Sequence, residues 1–161
     1  MAGVRDKSAE GASPVAPLAG GFSQRLLTGH LVAIGASTGG TEAIRAVLAR
    51  LPGDMPPIVM VQHMPELFTG SFARRLDTLS DLAVLEAQGG EMLRPGNVYL
   101  APGHSHMSVR KVPGGYRIEL SRSEPVNRHR PAVAVLFDSV DTEAVPFATG
   151  IIRTGRGKDG A

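Results

Sequence analysis

Two short runs of consecutive apolar residues, each followed by a segment with helical spacing, restrict this chain more than any other feature. Residues 31–34 form the first run, which stops at Gly35. Residues 41–51 then bring Ala43, Ile44, Val47, Leu48 and Leu51 to one helical face. Residues 58–61 form the second run and end at Gln62 and His63. Over 66–79, Phe68, Phe72 and Leu76 recur every four positions and leave Arg74 and Arg75 for water. A strand that is apolar at consecutive positions is buried on both faces, as parallel strands covered by helices are. The first half therefore reads βαβα, and the pattern predicts an α/β fold with an open, mostly parallel sheet flanked by helices.

The second half is less regular. Residues 98–101 read as a short strand, and 107–112 and 116–120 flank Pro113, Gly114 and Gly115 as an antiparallel β-hairpin, expected at an edge of the main sheet. Pro131 suits the first turn of a helix whose face is Val133, Leu136, Phe137 and Val140. Residues 147–152 read as a last strand, which runs into the Gly-rich segment 154–161. Residues 1–30 differ in kind: five Gly, five Ala, three Ser and two Pro make up half of them, with no sustained apolar period. They are expected to be a flexible tail or linker, with the folded domain at 31–161.

Composition removes whole classes of function. With no cysteine, disulfides, thiolate metal sites, iron–sulfur clusters and cysteine nucleophiles are excluded. The longest apolar run is six residues, 132–137, against ~20 for a membrane span and ~7 for a signal-peptide core. No membrane insertion and no secretory signal are expected, and a cytoplasmic location fits. The formal charge is only +2, aromatics make up 4% and Trp is absent. Stacking platforms for single-stranded nucleic acid are hard to build from that, and no nucleic-acid partner is expected.

In open α/β sheets, ligands bind beyond the carboxyl ends of the parallel strands. Just past three predicted strand ends lie Ser37, His63 and Asp159, which are a nucleophile, a base and a carboxylate. Gly35, Ala36, Ser37, Thr38 and Gly39 fit G-x-S-x-G between a strand and a helix, where small neighbours permit a sharp turn that presents the hydroxyl. Helix N-terminal amides close by are suited to steadying an oxyanion. The same turn also fits a phosphate-holding loop or a plain helix cap. His63 alone fits a hydrogen-bonded core histidine, and Asp159 alone a turn residue or N-cap. Together the three have the chemistry of a triad, in the chain order Ser, His, Asp rather than the Ser, Asp, His of α/β-hydrolases. A dinucleotide fold fits poorly, because Gly35, Gly39 and Gly40 miss G-x-G-x-x-G and no acidic residue ends the second strand. A Walker phosphate loop fails because Thr41 stands where its Lys belongs.

Two further groups carry weaker signals. His104 and His106 are two apart, a spacing that on a strand turns both rings to one face, but no third ligand accompanies them; solvent-facing loop histidines are the default and no metal is expected. Arg122, Arg128, His129 and Arg130 form a basic cluster beside Pro125 and Pro131. A solvated loop accounts for it; as a functional surface it suits docking of an acidic protein.

From residue 31 to residue 161 the sequence resembles the catalytic domain of the chemotaxis protein-glutamate methylesterases, the CheB family. The resemblance runs through IGASTGG at 34–40, QHMP at 62–65, LAPG at 100–103, HM at His106 and Met107, PVNRHRP at 125–131 and the terminal TGRGKDGA, covering 131 of 161 residues. It implies a serine hydrolase that demethylates glutamate methyl esters, and deamidates certain glutamines, on the cytoplasmic domains of methyl-accepting chemoreceptors. The family's serine, histidine and aspartate fall on Ser37, His63 and Asp159. Oxyanion support is implied around Thr38, His63 and Arg156, and no cofactor. The family commonly reads Met where Arg156 stands and continues beyond the DGA motif, so the resemblance implies a domain whose C-terminal part is missing, without a receiver domain. The alternative it leaves is a catalytically impaired docking domain of a chemosensory complex.

Overall fold

The computed structural model describes residues 29–37, 39–144 and 148–153. Within them, strand β1 (Leu31–Ala36), helix α1 (Thr41–Arg50), β2 (Ile58–Gln62), α2 (Glu66–Leu79), β3 (Ala83–Glu86) and β4 (Asn97–Leu100) alternate as the apolar pattern predicts. Then come β5 (His106–Val112), β6 (Gly115–Ser121), α3 (Val133–Glu143) and β7 (Ala148–Arg153). Five strands form one sheet in the order β3-β4-β2-β1-β7, and every pairing in it is parallel.

Strand periodicity sorts the core into two layers, because successive side chains point to opposite faces. Leu31, Ala33, Val59, Val61, Tyr99 and Ala101 pack on one face with Met107 and Val109 of β5, Ile118 of β6, and Val133, Leu136 and Val140 of α3. Ile34, Ala36, Ile58, Met60, Val98 and Leu100 pack on the other face with Ile44 and Leu48 of α1 and Ala73 and Leu76 of α2. A strand covered on both sides has no room for a polar alternation, which is why 31–34 and 58–61 read as unbroken apolar runs. Each fully buried Leu, Ile or Val among them contributes about 1.5–3 kcal/mol relative to exposure.

Several local expectations change. The hairpin is antiparallel, with the two-residue turn Pro113–Gly114 between Val112 and Gly115, and it makes a two-stranded sheet of its own. It is tied near the β3 edge of the large sheet through the segment between β3 and β4: Gly90 N–H donates to Ile118 O at 2.8 Å and Leu93 N–H to Tyr116 O at 2.9 Å. From there it lies over the same sheet face as α3, filling a position that a helix takes in a fully doubly wound fold. Strand β3 went unread in the sequence, since AVLE is four residues long and only Val84 of it is buried. Phe68, read as part of the buried helix face, is 56% exposed; the buried stripe of α2 is Thr69, Ala73 and Leu76. Pro131 precedes the N-cap residue Ala132 of α3 instead of occupying its first turn. Of residues 1–30, expected as a tail or linker, 1–28 lie outside the described residues. Among those described, no helix is long and apolar enough to cross a membrane.

Candidate active site

The parallel register decides which side chains meet. β1 and β2 end level, with Ala36 opposite Gln62, and neighbouring strands lie about 4.7–4.9 Å apart. The next residue on each strand is Ser37 and His63, and His63 N–H continues the ladder by donating to Ala36 O at 3.1 Å. β7 ends level as well, with Arg153 opposite Ala36. Of the three sequence candidates, the structure thus brings Ser37 and His63 to one place. Asp159, with Thr38 and Arg156, lies outside the described residues.

Ser37 sits in a tight turn. Its carbonyl accepts Gly40 N–H at 2.8 Å, which closes the turn, and Gln62 Nε2–H at 2.7 Å, which fastens it to β2. The same Gln62 amide reaches His63 O at 3.3 Å, so one fully buried side chain ties the backbone of both candidates. Gly40 is required by close approach: a Cβ there would lie 2.6 Å from Ala36 Cβ. The Ser37 hydroxyl is itself buried and has no hydrogen-bond partner among the described residues. Leaving such a group unpaired costs about 1–3 kcal/mol, a cost tolerated where the hydroxyl has another use.

The start of α2 holds His63 from its C-terminal side. Pro65 is the N-cap of that helix and keeps the chain extended into it, and the first helical turn carries Glu66. The LAPG segment presses on this junction: a Cβ on Gly103 would lie 2.5 Å from Glu66 Cα and 2.6 Å from Glu66 N. Gly103 N–H donates to Thr69 Oγ1 at 3.2 Å, and the Thr69 hydroxyl donates in turn to the Glu86 carboxylate. Only glycine permits that backbone-on-backbone contact.

The PVNRHRP segment reaches the site from the other side. Val126 and His129 exchange both backbone hydrogen bonds, at 3.0 and 2.9 Å, around Asn127 (φ 51°) and Arg128 (φ 68°). Positive φ at both central residues is the type I′ geometry. The turn delivers His129 onto His63, ring on ring, with centroids 3.9 Å apart and planes 8° from parallel. His129 therefore leaves the solvated cluster in which the sequence put it, while Arg122, Arg128 and Arg130 remain exposed.

His106 differs from its expected solvent-facing state. It opens β5, is 2% exposed, and its ring spans the foot of the PVNRHRP loop: Nε2–H donates to Glu124 O at 2.9 Å, and Nδ1 accepts Ala132 N–H at 3.2 Å. A carbonyl on one nitrogen and an amide N–H on the other fix the neutral Nε2–H tautomer. His104 precedes the strand, and its Nδ1 lies 2.6 Å from Ser105 Oγ, so the two rings do not share a strand face. Among the described residues no three His, Asp or Glu side chains are grouped to hold a metal.

The sheet order, the strand-end serine and histidine, and the LAPG and PVNRHRP contacts can be set beside known proteins. The family model for CheB methylesterase matches residues 32–161. The chain belongs to the CheB methylesterase family. A protein-glutamate methylesterase/protein-glutamine glutaminase of Dechloromonas aromatica is 56% identical over 134 residues, 83% of this chain and 38% of that protein. One from Nitrosomonas europaea is 58% identical over 134 residues, 83% of this chain and 37% of its own length. The chain thus spans under two-fifths of the length of these curated relatives. The crystal structure of the Thermotoga maritima CheB methylesterase catalytic domain matches with a TM-score of 0.79 and 42% identity, covering 82% of this chain and 70% of that one. Fold and family agree with the resemblance drawn from the motifs.

Proposed function

We propose that this chain is the hydrolytic domain of a protein-glutamate methylesterase and glutamine deamidase acting on methyl-accepting chemoreceptors in the bacterial cytoplasm. What supports the reading is the level ending of β1 and β2, which sets Ser37 beside His63 with the Ser37 hydroxyl buried and unpartnered among the described residues.

In this reading His63 removes the Ser37 proton as Oγ bonds to the γ-carbonyl carbon of a glutamate methyl ester. The tetrahedral intermediate collapses, the C–OCH3 bond breaks, and methanol leaves with the proton from His63. Water, activated by the same imidazole, then cleaves the acyl-serine to give glutamate and free Ser37. With glutamine the leaving group is ammonia. Asp159 is assigned to orient His63. The oxyanion is assigned to backbone amides near Thr38 and Arg156, each donor being worth about 100- to 1,000-fold. The His63 N–H is itself engaged by Ala36 O at 3.1 Å. Arg128 and Arg130, exposed on either side of His129 in the chain, and exposed Arg122, whose carbonyl accepts from the Arg130 guanidinium at 3.2 Å, suit an acidic receptor segment.

The test is methanol release from a methylated chemoreceptor cytoplasmic fragment, with the parent chain compared to Ser37→Ala at equal folded concentration. Release that is lost in the variant is expected. Release that persists in Ser37→Ala contradicts the serine mechanism, and folded parent protein that binds the fragment without releasing methanol supports the docking alternative.

A further inference from the structure

His63 is held at its backbone by the sheet, but a general base also needs its ring fixed, to within roughly 0.5 Å and 10–20° of the productive geometry. A strand-end side chain is free to swing about two torsions unless something packs against it. In this molecule one face of the ring is covered by another ring, 3.9 Å away and within 8° of parallel.

The covering residue is not there by chance of sequence proximity. His129 is brought in by a two-residue turn whose central residues, Asn127 and Arg128, both have positive φ. That conformation is uncommon for a residue with a side chain as bulky as arginine, and Asn–Gly would satisfy the turn with less strain. The turn stands on a loop whose two ends, Glu124 and Ala132, are bound to the two nitrogens of the buried His106 ring. A buried clamp, a closed loop and a left-handed turn together aim one flat side chain at one target.

We propose that His129 is a positioning residue for the reaction, acting through His63: its ring is a fixed wall that holds the His63 imidazole in its reactive orientation and keeps water from that face. The inference rests on the esterase reading, in which Asp159 is assigned to hold the ring by its edge. His129 holds it by its face and has no part in proton transfer. Flatness and position are then what matter, not the imidazole nitrogens.

The experiment is steady-state methanol release from the methylated receptor fragment by the parent chain and by Ser37→Ala, His129→Ala, His129→Phe and Asn127→Pro. His129→Ala is expected to lower kcat by about 10- to 100-fold, the scale of a small misplacement of a catalytic group, with KM little changed. His129→Phe, which restores a flat ring without nitrogens, recovers most of that loss. Asn127→Pro keeps the imidazole but cannot adopt φ 51°, because proline locks φ near −65°; it reproduces the loss by moving His129 away. Thermal unfolding of each variant fixes the folded fraction. The His63 ring resonances shift in His129→Ala and Asn127→Pro, as expected when a stacked ring is removed.

His129→Ala at the parental rate overturns the proposal. So does an equal loss in His129→Ala and His129→Phe, which would mean that the imidazole nitrogens are needed. A change in KM alone would make His129 a substrate contact and also overturns it. Methanol release that is absent from the parent, or undiminished in Ser37→Ala, overturns the esterase reading itself, a result distinct from all three.

Discussion

Two parts of the molecule meet at His63, and they are held in different ways. On one side, the carboxyl ends of β1 and β2 are fixed by sheet register, by the buried Gln62 amide and by the contact of Gly103 on Glu66. These are backbone constraints anchored in a core that is apolar on both faces. On the other side, the loop that presents His129 has no apolar core of its own; its foot is closed by two hydrogen bonds to one buried imidazole, and its tip by the paired bonds of the 126–129 turn. In the proposed reading, the first side sets where Ser37 and His63 sit, and the second sets which way the His63 ring faces. A site can thus take its placement from the most rigid part of a fold and its fine orientation from a polar clamp.

The most damaging change is expected on the backbone side. Gly103→Ala sets a Cβ 2.5 Å from Glu66 Cα, and no side-chain rotation relieves a clash with backbone; about 2–4 kcal/mol of stability should be lost. Because the displaced junction lies directly after His63, activity should fall further than the folded fraction does, which parallel denaturation and methanol assays would separate. His106→Ala attacks the other side. It opens the loop at both ends and leaves Glu124 O and Ala132 N–H to find new partners, at a cost of about 2–3 kcal/mol. Its activity should match that of His129→Ala rather than that of Gly103→Ala.

Gln62→Leu separates stability from placement. It deletes the ties to Ser37 O and His63 O but also removes Gln62 Oε1, which is buried without a partner among the described residues. The two effects offset, and stability should change by about 1 kcal/mol or less, while kcat drops severalfold as the turn loosens. The smallest effect is expected far from both sides. Arg110→Ala breaks the 2.9 Å pair with Glu119 on the hairpin, where both side chains are well exposed. Such pairs contribute about 0–1 kcal/mol, so unfolding and activity should both stay near parental values.

The same division explains what the sequence made legible. The placement of Ser37 and His63 side by side at the strand ends could be read without any structure, because a short apolar run announces its own end and the rule for open α/β sheets points to the residues beyond it. Helix α2 was likewise legible over Glu66–Leu79, although its buried stripe is rotated by one position from the Phe68 spacing toward Thr69. The clamp was not legible. His106 is read as a loop histidine because nothing local shows that its ring is enclosed, and its partners Glu124 and Ala132 are 18 and 26 residues away. His129 sits between two arginines in an exposed stretch, and only a turn at positive φ, unmarked here by glycine, reveals that its ring points inward. Short edge strands escape for the reason β3 does: four residues with a single buried one among them carry too little period to register.

The esterase reading requires that the level strand ends make Ser37 a nucleophile and His63 its base. Reaction of the folded chain with a fluorophosphonate probes this pair without any receptor, since the serine oxygen bonds to phosphorus, fluoride leaves, and intact-mass and peptide mapping locate the adduct. One adduct is expected, on Ser37, forming much more slowly in His63→Ala. An adduct on another residue, or labelling of Ser37 at the same rate without His63, would contradict the reading.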